Sequence, residues 1–260
     1  MRHLRWLTVA LFFISLLVFV SGQSWHNTVG TAFFQGPEEK QGPPPFDDTE
    51  NDFRRLRIGP YSVKIDTGIS GGLSVCVNHT NEPAGLGSSA VETAVLNALN
   101  AWDNEVTAEL FAGSVSSCTE TPPSSVTVEQ QGSCSPPAPS FVRWASLGPN
   151  TVGQANFLHF CIDASTRVAK VRRFMITLNT DFAWAIGAQL GKYDVQSVVT
   201  HEAGHPVGLD DLNALKDFFL TMYRAASTNN TDRQTLGCGD QLGVKAIYPA
   251  PNNPSASACP

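Results

Sequence analysis

The sequence predicts one α/β domain, running from about residue 58 to 250. Three observations carry that prediction. Of 260 residues, 42% are apolar and 15% charged, the balance of a chain that folds around a core. Strand-like and helix-like apolar patterns succeed one another along the middle of the chain without an internal repeat, as expected for strands and helices around one sheet. The length fits one large domain or two small ones, at roughly 100–200 residues per domain.

The elements follow in order. Residues 23–57 hold Pro43-Pro44-Pro45 and mixed charges with little periodicity, and read as a linker or short pro-segment. Tyr61 to Asp66 alternates like a first strand; Gly68 and Gly71-Gly72 then mark a turn before the next apolar run. Ser89 to Leu110 reads as a helix, with Val91, Ala94, Val95, Ala98, Leu99 and Trp102 on one face and Ser89 with Glu92 as a capping box. Residues 113–140, with five prolines, read as a long surface loop. Phe141–Trp144, Phe157–Cys161 and Phe174–Asn179 are short strand candidates. Asp194 is placed to cap a second helix that runs through Val195, Val198 and Val199 into His205. A last helix follows Asp240, carries Leu242, Val244 and Ile247, and stops at Tyr248-Pro249. Residues 251–260 form a tail.

Residues 1–22 carry the marks of a secretory leader. Arg2 and Arg5 precede a mostly apolar stretch from Leu7 to Val20, too short for a comfortable span at about 20 residues, and Val20-Ser21-Gly22 offers small residues for cleavage. The expected location is therefore extracellular, with no stable membrane anchor after removal of the leader. The formal charge of −6, more negative still without the leader's two arginines, gives no basic face for nucleic acid. Six cysteines, at 76, 118, 134, 161, 238 and 259, agree with export and suggest three disulfides. Local pairing suggests Cys118 with Cys134 and Cys238 with Cys259, leaving Cys76 with Cys161. No pair has C-x-x-C spacing.

The chemistry concentrates in residues 201–211, His-Glu-Ala-Gly-His-Pro-Val-Gly-Leu-Asp-Asp. On a helix, His201 and His205 project from one face, where two imidazoles can hold one zinc ion. Glu202, beside the first histidine, can reach a water on that ion without being a ligand. Gly208 lets the chain leave the helix in a left-handed conformation. The chain can then turn back and offer a third ligand, Asp211 or Asp210; a carboxylate oxygen binds zinc at about 2.0–2.2 Å.

This motif, His201-Glu202-x-x-His205-x-x-Gly208-x-x-Asp211, resembles the metzincin zinc motif with aspartate in place of the usual third histidine. Thr221-Met222-Tyr223 resembles the Met-turn, and Thr235 to Pro249 resembles the closing helix of the matrixin catalytic domain. Ile176 to Trp184 is similar to the strand that runs past the active-site cleft, and the Trp102 helix to that domain's first helix. The likeness covers about 190 residues and is strongest to exported matrixin-like proteases that carry Leu-x-Asp-Leu, here Leu209-Asp210-Asp211-Leu212; it selects Asp211 as third ligand. It implies an α+β zincin-like fold with one twisted mixed sheet of about five strands, three main helices, an active-site helix and a Met-turn.

The resemblance also implies an exported zinc endopeptidase acting on protein or peptide substrates; the oligomeric state is open, with monomer as the default expectation. Glu202 would be the general base, Met222 a packing floor and Tyr223 a wall of the substrate pocket. The strand ahead of Asp181 would be an edge that holds an extended substrate by main-chain pairing. A non-catalytic secreted zinc-binding module of the same fold is the alternative, favoured by Pro206, which removes a helical bond and crowds the carbonyl of Glu202. Residues 23–58 hold no cysteine, so a pro-segment thiol cannot block the zinc as it does in many matrixins. Calcium or a second zinc ion stays unassigned: His79 and His159 read as ordinary partly buried or solvated histidines, and Asp163, Asp181 and Asp232 lie in no EF-hand pattern.

Overall fold

The described residues, 31–35 and 52–255 of a computed structural model, form a mixed α/β fold. Its strands are β1 (Thr31–Gln35), β2 (Arg57–Ile58), β3 (Tyr61–Ile65), β4 (Leu73–Val77), β5 (Phe111–Ser117), β6 (Thr127–Gln130), β7 (Ser140–Ala145), β8 (Thr151–Asp163), β9 (Val168–Asn179), β10 (Trp184–Ala185) and β11 (Tyr193–Asp194). The helices are α1 (Ser88–Asp103), α2 (Val195–Val207) and α3 (Cys238–Ile247). The leader and Cys259 lie outside the described residues.

The β8–β9 hairpin is the spine. Asp163 accepts the amides of Ser165 and Thr166 at 3.0 and 3.2 Å, closing the turn between the two strands. Each strand changes its outer neighbour halfway. Residues 168–171 of β9 pair with β3, whereas 175–179 pair with β7, both in parallel. The switch falls at Arg172 and Arg173, which reach out to Asp66 and Glu120. On the other side, β8 pairs with β1 over residues 151–156 and with β6 from His159 onward. One end of the sheet therefore reads β5-β4-β7-β9-β8-β1 and the other β2-β3-β9-β8-β6, nine strands in all.

Nine strands replace the expected five or so. β1 and β2 fall in the presumed linker, and β5 and β6 in or beside the presumed Pro-rich loop, whose apolar residues are too few to signal strands. The strand ahead of Asp181 is also not an edge: β9 has β8 on one side and β3 or β7 on the other. Its backbone groups are consumed within the sheet, so substrate pairing there is excluded.

The large core lies where α1 and α2 pack on the sheet. The predicted face of α1 is buried throughout, and the Trp102 indole donates to Thr200 O of α2 at 2.8 Å. The helix begins at Ser88 after Gly87, whose φ of 83° suits glycine, so Ser89 is not its cap. Glu92 is drawn instead to His79 and to the Ser117 hydroxyl. The helix ends at Asp103 rather than Leu110, because the Asp103 carboxylate accepts the Leu110 amide at 2.8 Å and turns the chain into β5. The expected cap at α2 is present: Asp194 accepts Ser197 N–H at 2.8 Å. Pro206 does not end α2, which continues to Val207; the missing donor falls in the last turn.

A second apolar cluster, Cys76, Phe141, Leu158 and Met175, has Cys118 packed against it. The cysteines pair as Cys76–Cys118 and Cys134–Cys161, with Cα separations of 5.8 and 5.9 Å. This corrects both expected pairings among these four. Parallel pairing of β4 with β5 carries Cys118 past Val77, and pairing of β6 with β8 sets Glu129 opposite Cys161 just ahead of Cys134. Sheet register, not nearness along the chain, selects the partners. Cys238 is disulfide-bonded; Cys259, its expected partner, is outside the described residues. Among the described residues no helix is long and apolar enough to cross a membrane.

Non-reducing peptide mapping is expected to recover Cys76 linked to Cys118 and Cys134 to Cys161. Replacing both cysteines of either pair by serine should cost about 2–4 kcal/mol of stability in urea unfolding. Recovery of Cys118 linked to Cys134 would contradict the β4–β5 and β6–β8 registers.

Candidate metal centre

Helix α2 brings His201 and His205 onto one face, and both rings are fully buried. A buried imidazole needs a partner for each nitrogen or a reason to lack one. The Nδ1 atoms are accounted for by backbone carbonyls: His201 donates to Thr221 O at 2.7 Å and His205 to Leu209 O at 2.9 Å. A carbonyl only accepts, so Nδ1 carries a proton, and Nε2 is the nitrogen that would bind a metal in the neutral tautomer. Both Nε2 atoms face Asp211 Oδ1, at 3.2 Å from His201 and 3.8 Å from His205. The three ligand atoms lie within 4.8 Å of one another. Among the described residues this is the one group of three or more His, Cys, Asp or Glu side chains that converges in this way. It could hold a metal ion.

The protonation states suit that use. Burial lowers the His201 pKa to about 4, against the pull of Asp211. Burial works to raise Asp211, but the His201 hydrogen bond and the charges of His205, His201 and Arg54 outweigh it and hold the carboxyl below its usual range. Neutral imidazole and ionised carboxylate are the ligand forms metals need.

Gly208 turns the chain so that Asp211 joins the two histidines. At φ 120° and ψ 15° it closes α2, its amide donating to Gly204 O and His205 O at 3.0 Å. A side chain there would also strike Val63 O. The loop that follows is strapped by residues 54–56: Leu56 N–H donates to Gly208 O at 2.7 Å, and Asp210 N–H to Arg54 O at 2.8 Å. The Arg54 guanidinium sits 2.8 Å from Asp210 Oδ2, while Asp210 Oδ1 accepts Asp211 N–H at 2.9 Å. Asp210 is thus committed to the loop and Asp211 to the centre. The reading of residues 23–57 as a linker missed Arg54, because nothing in a polar, proline-rich stretch marks one arginine as a strap.

Met222 lies beneath the helix, 1% exposed. Gly204 makes room for it, since a Cβ there would collide with Met222 Sδ and Trp102. Asp240 locks the turn. Its Oδ2 accepts Thr221 N–H at 2.6 Å and Gly237 N–H at 3.0 Å, and its Oδ1 accepts Met222 N–H at 3.1 Å. Burial pushes this carboxyl up to about 6, against the pull of those amides. Thr221 therefore links Asp240 to the Nδ1 of His201. The sequence marked Asp240 only as a helix start; its distance of 39 positions from His201 concealed the connection.

Glu202 is fully buried on α2. Gly153 of β8 lies against it: a Cβ built there would meet Glu202 Oε1 at 2.9 Å. Tyr223 is buried, 5.5 Å from the Phe218 ring, with the Arg233 guanidinium 5.8 Å from its ring centre. The nearby cleft is lined by Ser197, Val198, Phe218, Phe219, Ala226 and Arg233 among others, and Tyr223 is not one of its lining residues.

The other candidates are used locally. His79 bridges Glu82 and Glu92, and His159 meets Glu129 at 2.7 Å. Asp163 closes the hairpin, Asp181 accepts from Ser146 and Gly148, and Asp232 accepts from Asn230. No protein-family model matches the chain, and no curated protein sequence matches it.

Asp240→Asn should leave far-UV circular dichroism unchanged but weaken binding of Co2+ by about 10–100-fold, the usual cost of losing an outer-shell partner. Competition with a coloured chelator measures this. Unchanged affinity would show that the turn holds His201 without Asp240.

Proposed function

We propose that the protein is an exported zinc-dependent endopeptidase of matrixin-like type. The observation that carries the reading is the convergence of His201 Nε2, His205 Nε2 and Asp211 Oδ1, with Glu202 buried on the same helix. Two nitrogens and one oxygen, with no fourth protein ligand in the group among the described residues, match a catalytic zinc site, which keeps a position open. Zinc held there supplies Lewis-acid activation of water and of the scissile carbonyl. The chain's own residues do the rest. His201 and His205 are fixed in rotation by Thr221 O and Leu209 O. Asp211 brings one negative charge. Glu202 takes a proton from the attacking water on its carboxylate and passes it to the leaving amine.

The leader-like N-terminus and two described disulfides support export. A purely binding module needs the ligands but has no use for Glu202; its burial beside the ligands favours turnover. Pro206 leaves α2 helical through both ligands, which removes the main ground for the binding-module reading.

The test is hydrolysis of a mixed peptide library with zinc present. The native chain should cleave, and Glu202→Ala should lower kcat/KM by about 10²–10⁴-fold while still binding one zinc. Equal cleavage by both, or cleavage by neither in folded and zinc-loaded protein, would overturn the reading.

A further inference from the structure

Two asparagines stand in Asn-x-Thr triplets, Asn78-His79-Thr80 and Asn229-Asn230-Thr231. In a chain that enters a secretory pathway such a triplet can accept an N-linked glycan, provided that the asparagine amide stands out from the surface. The fold treats the two triplets differently. Asn78 is half-buried and its polar groups are in use. Its backbone N–H donates to Val142 O at 2.8 Å and its Nδ2 to Glu120 O at 2.8 Å, while its Oδ1 accepts Thr80 N–H at 2.9 Å. His79, the middle residue, is held between Glu82 and Glu92.

Asn229 is exposed. Its backbone N–H donates to Lys192 O at 3.0 Å, and among the described residues its side chain makes no hydrogen bond. The adjacent Asn230 is turned inward: its Nδ2 donates to Asp232 Oδ2 at 2.7 Å, and its Oδ1 accepts Asp232 N–H at 2.8 Å. Backbone conformation alone explains an asparagine at 229, since φ is 57° and asparagine tolerates the left-handed region. It does not explain Thr231. That residue opens the 3-10 turn Asp232–Gln234, where a threonine hydroxyl ordinarily caps, yet its side chain makes no cap bond. The fold thus leaves both groups that define the second triplet, the amide and the hydroxyl, out of its own bonding.

We infer that Asn229 carries an N-linked glycan and that Asn78 does not. The inference rests on the export part of the proposed function and not on the peptidase chemistry. The donor is an oligosaccharide carried on a polyprenyl pyrophosphate. A bond forms between Asn229 Nδ2 and the anomeric carbon of the first sugar. The bond from that carbon to the pyrophosphate oxygen breaks, polyprenyl pyrophosphate leaves, and the amide gives up one proton; nothing is oxidised or reduced. Ser227 and Asn230, on either side of Asn229, line the cleft beside the metal centre, so the glycan stands at the lip of that cleft.

The test secretes the full chain, leader included, from cultured mammalian cells as the native sequence, Thr231→Ala and Thr231→Ser. Both variants keep Asn229 and its left-handed backbone, so they separate the triplet from the turn. Enzymatic release of N-glycans in heavy-oxygen water, followed by peptide mass spectrometry, reads the occupancy of each asparagine. Occupancy of Asn229 should exceed that of Asn78 by about tenfold or more in the native chain. It should persist in Thr231→Ser and vanish in Thr231→Ala. The native map alone decides the matter if a variant is not secreted. A bare Asn229 in secreted native protein, or equal occupancy of Asn78, overturns the inference and leaves the export reading intact. A native chain held in the cytosol with its leader uncut overturns both.

Discussion

Two imidazoles buried side by side on one helix set the terms for the rest of this molecule. His201 and His205 are wholly out of water, and an unmet polar group in that setting costs about 1–3 kcal/mol. The fold answers with two backbone carbonyls, from Thr221 and Leu209, at 2.7 and 2.9 Å. Those carbonyls belong to different loops. The segment from Leu209 onward must therefore curl back under α2, and the segment ending at Met222 must come up beside it. The two loops are stitched to each other as well: Leu212 N–H donates to Met222 O at 2.8 Å, and Arg224 N–H to Leu212 O at 3.0 Å.

Close approach is the second constraint, and glycine meets it where it matters. Gly204 lets Met222 and Trp102 press on the inner face of α2, and Gly153 lets β8 lie against Glu202. Helix, strand and turn thus meet around one carboxylate and two imidazoles. α1 anchors the arrangement through the Trp102–Thr200 bond.

The parts legible in the sequence were those written in local pattern. The buried stripe of α1, the Asp194 cap, the i, i+4 histidines and the break at Gly208 all follow from spacing within a few residues. Asp211 was separable from Asp210 only through resemblance; in the structure, Asp211 groups with the two histidines while Arg54 and the Asp211 amide occupy Asp210. What escaped was long-range. Cysteine partners follow strand register, which pairs Cys76 with Cys118 across 42 positions. β1, β5 and β6 are short or polar and gain their place from neighbours rather than from their own periodicity. The strand ahead of Asp181 lies inside the sheet rather than at its edge, because edge status is a property of the whole topology.

The central claim is that one zinc ion binds through two imidazole nitrogens and one carboxylate oxygen. X-ray absorption at the zinc edge, on protein loaded to one equivalent, measures this directly. The account predicts nitrogen and oxygen neighbours at about 2.0–2.2 Å, multiple scattering from two imidazoles, and no sulfur at about 2.3 Å. Loss of one imidazole in His205→Ala would complete that result. A sulfur shell, or an imidazole signal unchanged in His205→Ala, would contradict it.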